Sequence, residues 1–275
     1  MRLLVLIAAL ALSACDNSVQ PLVEGAEGQF SVFGHLDSAA DTQFVRLEPV
    51  LIAPGAPRPS LNRTLVITTD DQGQEQEWTY RAQTLEDGTI GDVWFSEFRP
   101  IPGHTYLLEA LSAEGVSVTA RASIPQAPRL APGLPRGDTL TLMQNVRLLG
   151  QDLDPLRLTV LYDVRLPDEE FPSRVPVDYG KGNGPSGEGW GLDVFLRRDQ
   201  ATVLASLNRA VTDRGVTLVQ IGVRAELLSP EWSSPAPLPA NISNGRGFFG
   251  AIGRYDLTWS LTSDAVERMG FLDGQ

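Results

Sequence analysis

Cys15 is the residue whose type and position most clearly indicate chemistry, because it is the only cysteine and follows an apolar run over residues 3–14. Arg2 precedes this run, and the small residues Ser13 and Ala14 lie immediately before the cysteine. A basic residue, an apolar run and a small-residue cleavage site are typical of a secretory signal peptide. The sequence therefore predicts a signal peptide over residues 1–14 and a mature chain that begins at Cys15.

Residues 12–15 (LSAC) also resemble the lipobox of bacterial lipoproteins. The resemblance implies that the Cys15 thiol carries a diacylglycerol and that its freed amine carries a third acyl chain. Such a group would anchor the chain stably, since each buried methylene contributes about 0.8 kcal/mol. A membrane-spanning helix needs about 20 apolar residues, and Asp16 ends this run too early. An ordinary signal peptide remains the alternative, although Cys15 would then be a lone thiol in an oxidising compartment.

The motifs that normally indicate catalysis or cofactor binding are weak in this sequence. Residues 182–187 (GNGPSG) match the spacing of a phosphate-binding glycine loop, but their flanks lack the preceding strand and following helix that such a loop needs. No serine occurs in a G-x-S-x-G setting. His35 and His104 are the only histidines, and neither has the spacing of a zinc site. We therefore expect no cofactor, no metal and no catalytic centre.

Acidic residues form three short turn clusters, at 70–71, 152–154 and 168–170. Carboxylate oxygens in such turns could bind calcium, but none of the clusters has the spacing of a recognised calcium loop. We interpret them as solvated turns. A pair of carboxylates for glycoside hydrolysis remains possible, because the two groups need only be neighbours in space.

Four aromatic residues are the candidates for recognition of a ligand or partner: Trp190, Trp232, Phe248 and Phe249. They lie in or beside segments rich in glycine or proline, where a large ring is costly to expose without a partner. The alternative is that the four rings close the core of a second domain.

The charge of the chain limits the classes of partner. The formal net charge is -12 at pH 7, from 34 acidic and 22 basic residues. An acidic surface repels phosphate backbones and anionic lipid surfaces. We therefore expect no nucleic-acid partner, and membrane contact only through the lipid anchor.

Short alternating segments dominate the chain and predict a mainly β protein. Residues 29–125 contain about seven of them with turn signals every 8 to 12 residues, which is typical of an immunoglobulin-like sandwich. No cysteine pair can link its sheets, so apolar burial must hold them together. Residues 15–28 are predicted to form a tether between the anchor and this domain.

A second antiparallel β domain carrying one helix is predicted over residues 139–270, after a linker at 126–138 that is rich in proline and glycine. The helix is expected near 199–214, with Asp199 as its amino-terminal cap and Gly215 just after its end. Residues 167–191 are polar and rich in glycine and proline, which favours an exposed loop or hairpin.

The order of several short motifs resembles that of an uncharacterised family of bacterial envelope lipoproteins, known only as a domain of unknown function and common in Bacteroidota and related phyla. The matching motifs cover about residues 30–259 and are residues 30–34 (FSVFG), 65–73 (LVITTDDQG), 102–108 (PGHTYLL) followed by Gly115 and 124–125 (IP), 228–232 (LSPEW) and 241–251 (NISNGRGFFGA). Residues 167–191 depart from the pattern of the family.

This resemblance implies a lipid-anchored envelope protein, often encoded near outer-membrane receptors of the plugged-barrel type, and implies no activity. We expect a non-catalytic binding or accessory protein that works with an outer-membrane receptor or transporter. The outer membrane is favoured, although Asp16 after the cysteine would direct retention in the inner membrane under the enterobacterial sorting rule. The alternative is an envelope hydrolase that cleaves carbohydrate or peptide with dispersed carboxylates.

Overall fold

The computed structural model describes residues 30–50, 60–84, 88, 90–233 and 241–274. The predicted signal peptide, Cys15 and the tether lie outside these residues. Over the described residues the chain forms eighteen strands and two α-helices. The prediction of a mainly β fold, an immunoglobulin-like sandwich followed by a second β unit, is confirmed.

Most of the longer strands alternate buried side chains with more exposed ones. They are β1 (Phe30–Asp37), β2 (Gln43–Pro49), β3 (Leu65–Asp70), β4 (Glu75–Glu77), β5 (Thr79–Thr84), β6 (Ile90–Ser96), β7 (Thr105–Leu111), β8 (Ser117–Ser123), β9 (Arg129–Pro132), β10 (Gln144–Leu149), β11 (Pro155–Arg165), β12 (Ser173–Asp178), β13 (Gly184–Ser186), β14 (Gly189–Val194), β15 (Thr217–Leu228), β16 (Ile242–Ser243), β17 (Gly245–Trp259) and β18 (Leu272–Asp273). The helices are α1 (Leu196–Ser206), α2 (Ser263–Met269) and a 3₁₀ turn at Pro230–Ser233.

These strands form three sheets over the described residues. One long sheet has the order β12-β11-β15-β17-β1-β2-β6-β5, with β18 paired to β15. A five-stranded sheet, β16-β8-β7-β3-β4, covers one half of the long sheet, and a four-stranded sheet, β13-β14-β10-β9, belongs to the other half. The long sheet is therefore shared by two sandwiches with separate cores.

The first sandwich is held together by apolar burial, as its sequence requires. Val32 and Leu47 of the long sheet and Leu108 and Val118 of the five-stranded sheet are fully buried in one cluster. Trp94 is also fully buried, and its indole nitrogen donates to the carbonyl of Thr64 at 3.3 Å. Buried aliphatic and aromatic side chains thus fill the space between the sheets, where many immunoglobulin domains place a disulfide.

The second core lies between the other half of the long sheet, the four-stranded sheet and the two helices. Its fully buried members include Val160 and Val223 from the long sheet, Val146 from β10 and Leu204 from α1. The predicted linker contributes to this unit, because β9 lies within residues 126–138 and pairs with β10. The stretch 167–191 contains β12, β13 and the start of β14, and the last two form a hairpin.

β17 connects the two cores. Its first part pairs in parallel with β1 and contributes Phe249 to the first core, whereas Trp259 near its end belongs to the second core. Gly247 allows the close approach of β1, because it has a φ of 110° and a Cβ there would overlap the Val32 carbonyl. Fifteen residues of one strand thus fix the two sandwiches edge to edge.

The structure corrects the predicted helix, which spans Leu196–Ser206 instead of 199–214. Asp199 lies inside α1 as a buried residue and does not cap it. The helix ends before Asn208, whose φ of 55° is left-handed, so the chain turns well ahead of Gly215. The fully buried apolar residues of the helix, which pack into the second core, all lie within this shorter span.

Candidate functional site

The outer surface of the first sandwich carries a cluster of aromatic rings, which we call the aromatic face: Phe33, His35, Phe44, Trp232 and Phe248. Phe33 on β1 lies opposite Phe248 on β17, and His35 lies opposite Phe44 on β2. Since alternate residues of a strand point to opposite faces, the buried Val32 and Leu36 place these rings on the solvent side. Strand register alone therefore assembles four members of the cluster.

Trp232 joins the aromatic face from the 3₁₀ turn. Its ring centroid lies 4.2 Å from that of Phe248 and 6.2 Å from that of His35. The indole nitrogen donates a hydrogen bond of 2.9 Å to the carbonyl of Ala251, and the Trp232 amide donates to Ser229 at 3.0 Å. The orientation of the indole is thus fixed by the neighbouring strand.

The rings of the aromatic face remain in contact with water. The exposed fraction is 54% for Phe44, 39% for Trp232 and 38% for Phe33. Each square ångström of apolar surface left in water forgoes roughly 25 cal/mol of burial free energy. Contiguous apolar patches on a soluble surface are usually sites of interaction.

Charged side chains border the aromatic face. The Arg46 guanidinium lies 5.1 Å from the Phe33 ring centroid and forms an ion pair of 3.4 Å with Glu48. On the other side, Asp37 and Arg254 form an ion pair of 3.3 Å. An apolar centre surrounded by charged groups is the usual anatomy of a protein interface.

The four aromatic candidates from the sequence fall in three places. Trp232 and Phe248 come together in the aromatic face, whereas Phe249, the next residue along β17, is fully buried in the first core. Trp190 packs against the second core at a separate groove. Phe33 and Phe44 are not among the four candidates, although each is an aromatic residue at an outward position of an alternating strand.

The groove beside Trp190 has a volume of about 660 Å³. Arg129, Asp152 and Glu188 line it together with the glycine-rich β13–β14 hairpin. The Trp190 indole nitrogen donates to the carbonyl of Lys181, which fixes the ring at the wall of the groove. An aromatic ring with charged groups around it can hold a polar ring-shaped ligand.

Asp199 is the centre of a buried polar network below helix α1. Its carboxylate accepts hydrogen bonds from the hydroxyls of Tyr162 at 2.8 Å and Tyr179 at 2.6 Å, and Arg198 donates to it at 3.2 Å. Burial raises the pKa of the Asp199 carboxyl, and the two tyrosine hydrogen bonds oppose that rise. Burial also raises the pKa of Tyr179. The network attaches α1 to the long sheet, and the Asp199 side chain within it is fully buried.

The two histidines lie in different parts of the first sandwich. His35 belongs to the aromatic face, whereas His104 lies close to the carboxylates of Asp70 and Asp71. These three residues are a group among the described residues that could hold a metal ion. In the part of the chain that the structure covers, no helix combines the length and apolar composition needed to cross a membrane.

Comparison with known proteins gives only distant similarities. The chain matches no family model and no curated protein. Solved structures similar to it include a pullulanase complexed with maltotriose from Anoxybacillus sp. LM18-11, with 10% identity, a TM-score of 0.25 and coverage of 72% of this chain and 24% of that one. A segment of two fibronectin type-III domains from chicken tenascin has 11% identity, a TM-score of 0.22 and coverage of 84% and 98%. This chain therefore spans about a quarter of the pullulanase, and similarities this low carry no argument about function.

Proposed function

We propose that this chain is a lipid-anchored envelope protein that binds the extramembrane part of another envelope protein through the aromatic face. The observation that carries the proposal is the set of three rings, Phe33, Phe44 and Trp232, that are each more than a third exposed on one surface. Their contact with a partner would remove apolar area from water, which is the main driving force of association.

The composition of the aromatic face favours a protein partner. The Phe33 and Phe44 rings have no polar group to hydrogen-bond a sugar or a nucleotide, and they lie on a sheet surface instead of in a cleft. Arg46 and Asp37 at the border provide one charge of each sign for recognition. Direct contact with anionic lipid is disfavoured by the net charge of -12.

The predicted anchor would keep such a partner within reach. β1 begins at Phe30, fifteen residues after Cys15, and an extended chain of that length spans at most about 50 Å. Because Phe33 and His35 lie on β1, the tether would limit how far the aromatic face can move from the membrane surface. This arrangement suits an accessory protein of an outer-membrane receptor or transporter, which is a non-catalytic role.

A photoreactive phenylalanine analogue at position 44 tests the proposal in intact cells. We expect one crosslinked envelope protein, because Phe44 is more exposed than the other phenylalanines and the tryptophan of the aromatic face. Position 171 is the matched control, since Phe171 is 75% exposed but belongs to the second unit. Products at both positions, or at neither, would contradict the proposal. The product should also disappear in Cys15→Ser, which removes the anchor.

The groove beside Trp190 supports a second candidate function, the binding or cleavage of a saccharide. The Trp190 ring offers an apolar surface to a sugar, and Asp152 and Glu188 line the same groove with carboxylates. Arg129 also lines it and provides an opposing charge. The apolar ring and the surrounding charged groups together suit the binding of a saccharide.

A further inference from the structure

Two turns of the five-stranded sheet bring three possible metal ligands together. β3 and β7 pair antiparallel with Asp70 opposite Tyr106, so the turn after β3 meets the turn before β7. One ligand atom each from Asp70, Asp71 and His104 lies within 4.8 Å of the other two. The cluster combines an imidazole with two carboxylates, and it lies on the opposite sheet from the aromatic face.

The imidazole of His104 turns a buried nitrogen toward both carboxylates. Nδ1 lies 3.0 Å from Asp71 Oδ1 and 3.5 Å from Asp70 Oδ2. Two ligand atoms that each lie about 2.1 Å from a tetrahedral zinc ion are about 3.4 Å apart. The separations around Nδ1 thus match the edges of a coordination sphere.

Asp70 is held in a position that leaves one oxygen available. Its Oδ1 accepts hydrogen bonds from the amides of Gln72 at 2.9 Å and Gln74 at 2.8 Å. Oδ2 is the atom that faces His104. The Asp70 side chain is only 3% exposed, whereas that of Asp71 is 45% exposed. Hydrogen bonds that orient a ligand in this way are typical of metal sites.

We propose that Asp70, Asp71 and His104 bind one divalent transition-metal ion of the zinc class. An imidazole ligand favours zinc over calcium or magnesium, which prefer oxygen ligands alone. Three protein ligands leave the fourth position open to water or to a group on a partner. The exposure of Asp71 gives the ion a path to the site, and a cavity of about 400 Å³, lined by Asp70, Asp71 and Arg121 among others, adjoins it.

Zinc titration of the full chain, purified in detergent and stripped with a chelator, tests the site. We expect one equivalent of Zn²⁺ by calorimetry, at least tenfold weaker binding in His104→Gln, and no change in His35→Gln. His35 is the matched control because these are the only two histidines. Zn²⁺ should also raise the melting temperature of the wild type but not of His104→Gln, since an ion that binds only the folded chain stabilises it.

Three outcomes would overturn the proposal. The wild type could fail to bind Zn²⁺, His104→Gln could bind it as tightly as the wild type, or binding could be lost in Cys15→Ser and so depend on Cys15 instead of on the cluster. His104→Gln without metal should melt as the wild type does without metal, which separates loss of a ligand from loss of the fold. Asp71→Asn, on the exposed side of the site, should weaken binding in the same direction and provides a second variant.

Discussion

One sheet carries two very different outer surfaces. On β1, β2 and the first part of β17 the surface is the aromatic face, whose rings remain in water. On β11, β12, β15 and the last part of β17 it is an ionic face, formed by Asp163, Arg174, Arg224 and Asp256. Both surfaces cover buried cores, so the difference concerns only the residues that point to solvent.

The charged groups of the ionic face form ion pairs with one another. Arg174 donates to Asp163 at 2.7 Å and to Asp256 at 3.3 Å, and Arg224 forms a bidentate pair with Asp256 at 2.7 and 2.8 Å. The Arg224 guanidinium beside Asp256 holds the pKa of that carboxyl below its ordinary value. Every charge of the ionic face therefore has an opposite charge on a neighbouring strand.

The comparison indicates which of the two surfaces would be stabilised by binding a partner. Water solvates the ionic face well, and a partner there would have to replace paired and hydrated charges. The aromatic face gains free energy from any contact that covers its rings. The same sheet thus presents one surface whose charges are already paired and one whose rings gain free energy when they are covered.

The largest effect should separate the two sides of the sheet at adjacent residues of β17. Phe249→Ala should lower the free energy of unfolding by about 3–5 kcal/mol, because Phe249 is fully buried in the first core. Phe248→Ala, in the aromatic face, should cost less than about 1 kcal/mol. Urea unfolding of both variants measures the difference. Equal losses would mean that the aromatic face is part of the core.

The sequence predicts the strands well, because alternation of apolar and polar residues is a local signal. The outward direction of Phe33 can also be predicted from the sequence, since Phe33 lies three residues after the inward Phe30 and must point to the opposite side. The pairing of β1 with β17 cannot be predicted in this way, because the two strands are more than 200 residues apart and no local pattern specifies it. Without that pairing, Phe33 and Phe248 cannot be placed side by side.

The same reasoning explains two other differences. Asp199 is of a residue type that often caps helices. Inside α1 its carboxylate is buried instead, and hydrogen bonds from Tyr162 and Tyr179 compensate the cost of that burial. These tyrosines lie on or beside distant strands, so the competition between capping and burial is decided by tertiary structure. His104 and Asp70 likewise meet only because β3 pairs with β7.

A smaller effect should appear when the ionic face loses its central carboxylate. Asp256→Asn leaves Arg174 and Arg224 without their shared partner, and we expect a loss of about 1 kcal/mol, the upper range for exposed pairs. Phe44→Ser should change stability by less than about 0.5 kcal/mol, since it removes only an exposed ring. Unfolding at low and at high salt measures both, and salt should reduce the Asp256→Asn effect alone. An unchanged stability at low salt would show that the ionic face contributes nothing to folding.

The smallest effect that we predict is a change in stability at acidic pH. Because the pKa of Asp256 is lower in the folded chain than in the unfolded chain, its ion pairs stabilise the fold above about pH 4. That contribution is lost as the pH falls through the folded pKa, where the carboxylate takes up a proton. The stability difference between the wild type and Asp256→Asn should therefore shrink from pH 5 to pH 2, whereas the difference between the wild type and Phe44→Ser should stay constant. Unfolding curves at several pH values within this range measure both differences. A difference for Asp256→Asn that does not change with pH would mean that the carboxylate stabilises the sheet without its charge, and the contrast between the two faces would then rest on packing alone.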